Sequence, residues 1–196
     1  MLKELHDYLY HLEPEGGLPL KGTGVALGLL LLAKHAWAWR NAERAQAFLR
    51  AFPRNYAWGA GLLTLSFFWS MMCLANIDMG EFFFLRRWFL MLVPIAFVLV
   101  LVHVKEFLAV RAFGSLLLLA AGPVLCAAFL QPQITRLLLP ALAYVWILAG
   151  MFFVGMPFLM RDWIDWLLAK PARWNAAVWA GMIYGAVLLL LALTTY

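Results

Sequence analysis

LVHVKEFLAVRAFG, residues 101–114, interrupts a stretch that is otherwise apolar from Trp88 to Leu130. How Lys105, Glu106 and Arg111 are read decides the fold. If they lie within one long helix, three charges sit in hydrocarbon. On insertion scales each costs about 2.5–3.5 kcal/mol at a helix centre, against a return of only about 0.3–0.6 kcal/mol for each Leu or Val. Three such costs cancel most of a span. If the chain instead turns at 105–111, the charges reach the headgroups and the run becomes two segments of spanning length. The second reading costs far less, and it sets the pattern for the whole chain.

The totals agree. Of 196 residues, 66% are hydrophobic and 13% charged, and the mean hydropathy is +0.86. Soluble domains hold roughly 45–50% apolar and about 25% charged residues. A chain this short cannot hide so much apolar surface in a water-facing core, so lipid is the solvent for most of it. No linker or second module divides it, and residues 1–196 read as one membrane domain. The net charge of +5 is spread over short connections. It speaks for topology and anionic headgroups rather than nucleic acid.

A helix crosses a bilayer with about 20 residues. Six runs have that length: 22–39, 57–77, 88–104, 112–130, 137–158 and 174–193. The expected fold is an all-α, polytopic bundle of six transmembrane helices over 22–194. Residues 1–21 form an amphipathic N-terminal segment, with Leu2, Leu5, Leu9 and Leu12 on one helical face. That segment has no apolar core of the kind a cleaved secretion signal needs. RDWIDWLLAK, 161–170, is a second interfacial segment, with Trp163, Trp166, Leu167 and Leu168 expected toward lipid. Trp37, Trp39, Trp88 and Trp174 fall at span ends, where aromatic side chains anchor. FFFL, 82–85, lies between Glu81 and Arg86 as an apolar connection.

Lys and Arg orient the bundle. The connections 40–56, 105–111 and 159–173 carry nine: Arg40, Arg44, Arg50, Arg54, Lys105, Arg111, Arg161, Lys170 and Arg173. The other side carries five, Lys3, Lys21, Arg86, Arg87 and Arg136. The positive-inside rule puts the first set in the cytoplasm and both termini outside. The Arg86–Arg87 pair runs against that bias.

Small residues mark packing faces. Ala177, Gly181 and Gly185 recur every fourth residue in the last span, and Gly24 and Gly28 do so in the first. Such stripes let backbones approach in lipid. Pro94, Pro123, Pro140 and Pro157 lie within or beside spans three to five, where freed carbonyls must find other donors.

Candidate chemistry is sparse. His35 and His103 end two spans that run the same way, so a pair of imidazoles at one depth suggests a b-type haem. Ionisable residues at membrane depth are functional candidates, and His103, Lys105, Glu106 and Arg111 make a proton or ion path conceivable, with His103 and Glu106 three residues apart. The plain alternative is a helix end with surface charges. Cys73 and Cys126 end two parallel spans and could meet, yet buried cysteine usually packs as a small hydrophobe. No GxSxG, HExxH or phosphate loop occurs, no metal-ligand spacing stands out, and no cofactor is required. The leading expectation is a non-catalytic membrane subunit whose partners are the bilayer and other membrane subunits or further copies of itself. A small transporter using the 105–111 turn and a cytochrome using His35 and His103 are the alternatives.

Overall fold

The computed structural model describes residues 2–11 and 16–196. It is all-helical among the described residues. The α-helices are α1 (Leu2–Tyr10), α2 (Leu20–Arg40), α3 (Ala42–Ala51), α4 (Tyr56–Asn76), α5 (Arg86–His103), α6 (Leu108–Ala128), α7 (Leu138–Gly155), α8 (Phe158–Leu168) and α9 (Pro171–Thr194). Short 3-10 turns precede α4, α5 and α7 at Phe52–Arg54, Gly80–Leu85 and Ile134–Leu137.

Local chemistry explains several boundaries. Asn55 caps α4, its side-chain oxygen accepting the Trp58 N–H at 3.1 Å, which supplies a partner that the first turn lacks. Pro171 opens α9, where no N–H is needed. The disputed turn falls at 104–107, between α5 and α6. It closes on Phe107 at φ 55°, a left-handed conformation that costs a side-chain-bearing residue about 1–2 kcal/mol. Phe107 packs beside Phe52, Val110 and Ile164, and that burial holds it there.

Among the described residues, five helical segments are long and apolar enough to cross a membrane: Tyr56–Asn76, Gly80–His103, Leu108–Ala128, Ile134–Gly155 and Pro171–Thr194. The sixth expected span, 22–39, falls on α2, which is not among them. Helix α2 has 21 residues, but Lys21, Lys34 and His35 dilute its apolar character. Residues 40–56, read as a connection, contain α3. Its buried side is only Ala45, too thin a stripe to stand out in the sequence.

Contacts fix the topology. Helix α2 pairs antiparallel with α9. A Cβ at Gly28 would stand 2.9 Å from the Leu189 nitrogen, and one at Gly24 would stand 2.9 Å from the Ala192 Cβ. Helix α6 pairs antiparallel with α7 through Gly114 and Gly150, each facing the other's carbonyl oxygen. Helices α4 and α6 run parallel, with Gly59 against Leu108 and Ala109 at one end. Helix α5 lies along α4, with Phe67 stacked on Phe97 at 4.4 Å. Pro94 and Pro123 therefore do not share a packed hairpin. The small-residue stripes of α2 and α9 are spent on each other within the chain.

One core joins α2, α6, α7 and α9 around Leu31, Ala121, Leu139, Ala143 and Leu188. Helices α3 and α8 cover one end of the bundle with two more clusters. Met160 and Ile164 pack with Phe52 and Val110, and Leu167 packs with Ala45, Trp174 and Val178. The 161–170 expectation is thus corrected for Leu167, which faces inward, and for Leu168, half-buried against both clusters, while Trp163 and Trp166 are exposed. Trp174 is buried rather than an anchor; Trp37, Trp39 and Trp88 are exposed.

Candidate functional site

The end covered by α3 and α8 holds the residues that the sequence singles out. Helix α5 stops at His103, whose exposed ring bonds to its own helix, Nδ1 lying 3.1 Å from the Leu99 carbonyl oxygen. Lys105 and Glu106 follow, both exposed in the turn. Because the helix has ended, His103 and Glu106 do not share a helical face. Arg111 is not in the turn: it lies one turn into α6 and donates from Nη1 to the Val154 carbonyl oxygen at 3.2 Å. A cation there meets the negative end of α7, and Ser115 donates to the Arg111 carbonyl at 3.1 Å. Among the described residues, no hydrogen bond or ion pair joins His103, Lys105, Glu106 and Arg111 to one another. Arg111 therefore acts on the structure as a bolt between α6 and α7.

His35 stands apart from His103. Its Nδ1 lies 2.7 Å from the Leu31 carbonyl oxygen, and its ring is seated on Gly181 of α9. Helix α2 pairs with α9 and α5 with α4. The two imidazoles are thus carried by helices that do not form a pair.

The opposite end holds a polar cluster not anticipated from the sequence. Tyr10, last in α1, places its ring against Gly122 of α6. Trp69 Nε1–H donates to the Tyr10 hydroxyl at 2.9 Å, and the Cys73 thiol donates to it at 3.3 Å. The hydroxyl in turn lies 3.5 Å from the Leu119 carbonyl oxygen, and His6 stacks on the ring at 5.1 Å. Burial pushes the phenol well above its usual range, and the thiol neighbour adds to this. The arrangement holds a neutral phenol between α4 and α6. In α1, Leu2 and Leu5 are exposed, while His6, Leu9 and Tyr10 are half-buried. Leu12, the fourth member of the expected stripe, lies outside the described residues. The missing signal was Gly122, whose bare backbone makes room for an aromatic ring from another helix.

Elsewhere, hydroxyl and amide groups bond mainly within their own helices. Thr64 donates to Ala60 at 2.8 Å, Ser66 to Leu62 at 2.9 Å and Asn76 to Met72 at 2.7 Å. No group of three or more His, Cys, Asp or Glu converges on a metal-sized space among the described residues. Compared with family models, curated proteins and solved structures, the chain gives no match.

Proposed function

We propose that this chain is a non-catalytic integral membrane subunit that packs into a larger membrane assembly. The observation that carries the reading is the state of α5. Beyond the 3-10 turn that leads into it, it packs mainly along α4, and none of its residues is buried. Beside it, Phe82, Phe83 and Phe84 are each more than three-fifths exposed. The partner fitted to this edge is an apolar membrane helix of another subunit. In lipid, helices join by close packing and polar pairs, and an edge helix without internal burial has its packing surface free. The own-helix bonding of the polar side chains supports a scaffold over a conduit, since it leaves few groups aimed at a shared path.

In this reading α2 is the sixth crossing. Its glycine contacts hold it along the full-length span α9, with Lys21 and Lys34 toward the two interfaces, where long side chains snorkel. The end bearing α3 and α8 is cytoplasmic, and both described termini lie outside.

The test is purification in mild detergent from native membranes, with a partner census by mass spectrometry and a visible spectrum on one sample. Stoichiometric partners without a Soret band are expected. Leu92→Cys, exposed on α5 and off the Met91, Ile95 and Val98 face, should crosslink to one of those partners. A lone chain that yields no crosslink from α5 would sink the subunit reading, and a Soret peak lost in His35→Ala would replace it with a cytochrome.

A further inference from the structure

The start of α5 carries a cavity of about 420 Å³, lined by Phe83, Phe84, Arg86, Arg87, Leu90 and Met91. Arg86 and Arg87 are the charged members of an otherwise apolar lining. They are the first two residues of α5, which continues directly from the 3-10 turn Gly80–Leu85. Arg86 is partly engaged: it donates to the Ile77 carbonyl oxygen and its Cζ lies 4.9 Å over the Phe83 ring. Its Nε is buried without a partner. Arg87 is exposed and has no hydrogen bond or ion pair among the described residues. Two acids are near in sequence. Asp78 accepts the Gly80 N–H at 3.0 Å, and Glu81 is exposed with no ion pair to either arginine among the described residues.

The rest of the helix shows what kind of anion fits. Met91, Ile95, Val98 and Val102 follow Arg87 along one face, and all are exposed. That face begins with a cation and continues as an exposed apolar track along the helix.

We infer that the Arg86–Arg87 cavity is a binding site for an anionic phospholipid, its phosphate held between the guanidinium groups and an acyl chain laid along Met91, Ile95 and Val98. Bidentate guanidinium–phosphate bonding suits the donors, and the bound anion would offset the two adjacent cations. The site also accounts for a pair of arginines on the less basic end of the bundle. It does not depend on α5 meeting another subunit.

The full chain is purified in a neutral detergent, and lipid retention is read by native mass spectrometry with phosphatidylglycerol or phosphatidylcholine added. Phosphatidylglycerol should be retained one per chain in preference to phosphatidylcholine. Because a basic residue at the surface contributes about 1 kcal/mol toward anionic lipid, Arg87→Gln should weaken retention about fivefold. Arg87→Lys should restore most of it, whereas Arg50→Gln at the opposite end should not change it. The Arg87 side chain has no hydrogen bond or ion pair among the described residues, so this variant should stay folded; a thermal melt on the same sample checks that. Equal retention in Arg87→Gln and the parent overturns the site, as does equal retention of the two lipids. Displacement of phosphatidylglycerol by millimolar inorganic phosphate would overturn the lipid assignment in favour of a free-anion site.

Discussion

At the scale of single residues, polar groups in this protein are placed by what they would lose if left alone. Tyr10 is the clearest case. Its hydroxyl accepts from Trp69 and Cys73, so removing the oxygen leaves an indole N–H without its acceptor between α4 and α6. Hydrogen bonds between membrane helices average roughly 0.6 kcal/mol and reach about 1.7 kcal/mol. Tyr10→Phe should therefore lower unfolding stability in mild detergent by about 1 kcal/mol and make α1 more open to limited proteolysis. A variant that melts with the parent and resists protease equally would mean that the ring alone anchors α1. Sequence reading reached Lys105 and Glu106 because a charge in an apolar run has a large and local cost. It could not reach Tyr10, whose partners are 59 and 63 residues away and chemically ordinary on their own. The same limit applies to Arg111, read as part of a turn although its bond is to Val154, 43 residues on.

At the scale of elements, the pairing of helices rests on where side chains are absent. Gly28 faces backbone atoms of α9, the Leu189 nitrogen and the Gly185 oxygen, at 2.9 and 3.0 Å from a would-be Cβ. Neither atom can turn aside as a flexible side chain could. Gly28→Val should force α2 and α9 apart and cost about 1–3 kcal/mol, as overpacking does. Gly61 provides the control. It also lies within a helix, α4, but a Cβ there meets nothing within 4 Å, so Gly61→Val should change stability by no more than about 0.5 kcal/mol. Thermal unfolding of the two variants side by side distinguishes a packing effect from any general effect of valine. The spacing of Gly24, Gly28, Gly181 and Gly185 was legible as a close-contact stripe. Its partner was not, because spacing describes one surface and pairing needs two. Helices α3 and α8 were half legible for a related reason. Period and Trp content marked α8, yet whether Leu167 turns to lipid or to Trp174 depends on α9.

At the scale of the molecule, charge and connectivity together predict an orientation. Tyr10 contacts the late turns of α4 and α6, and the Tyr196 hydroxyl donates to the Thr135 carbonyl at 2.7 Å. Both described ends of the chain therefore lie at one end of the bundle. The far end, built from α3, α8 and the 104–107 turn, carries nine Lys and Arg against Glu43, Glu106, Asp162 and Asp165. Short connections with such an excess tend to be retained in the cytoplasm, and the orientation proposed above accordingly has the two described ends outside. Single cysteines in a background of Cys73→Ala and Cys126→Ala can report this. Ala51→Cys lies exposed at the end of α3 and Thr195→Cys lies exposed at the close of α9. In intact cells, a membrane-impermeant maleimide should label Thr195→Cys at once and Ala51→Cys only after permeabilisation. If the order is reversed, the basic end faces out, and the positive-inside bias has been overridden by some other insertion signal. Labelling of both positions from one side would be more serious. It would mean an odd number of crossings between residues 51 and 195 is wrong, and that one of α4, α5, α6, α7 or α9 lies within a single leaflet. The label thus tests orientation and span count together, and α2 enters only through the position of α1, which a third cysteine at the exposed Leu2 would report: labelled with Thr195→Cys if α2 crosses, with Ala51→Cys if it does not.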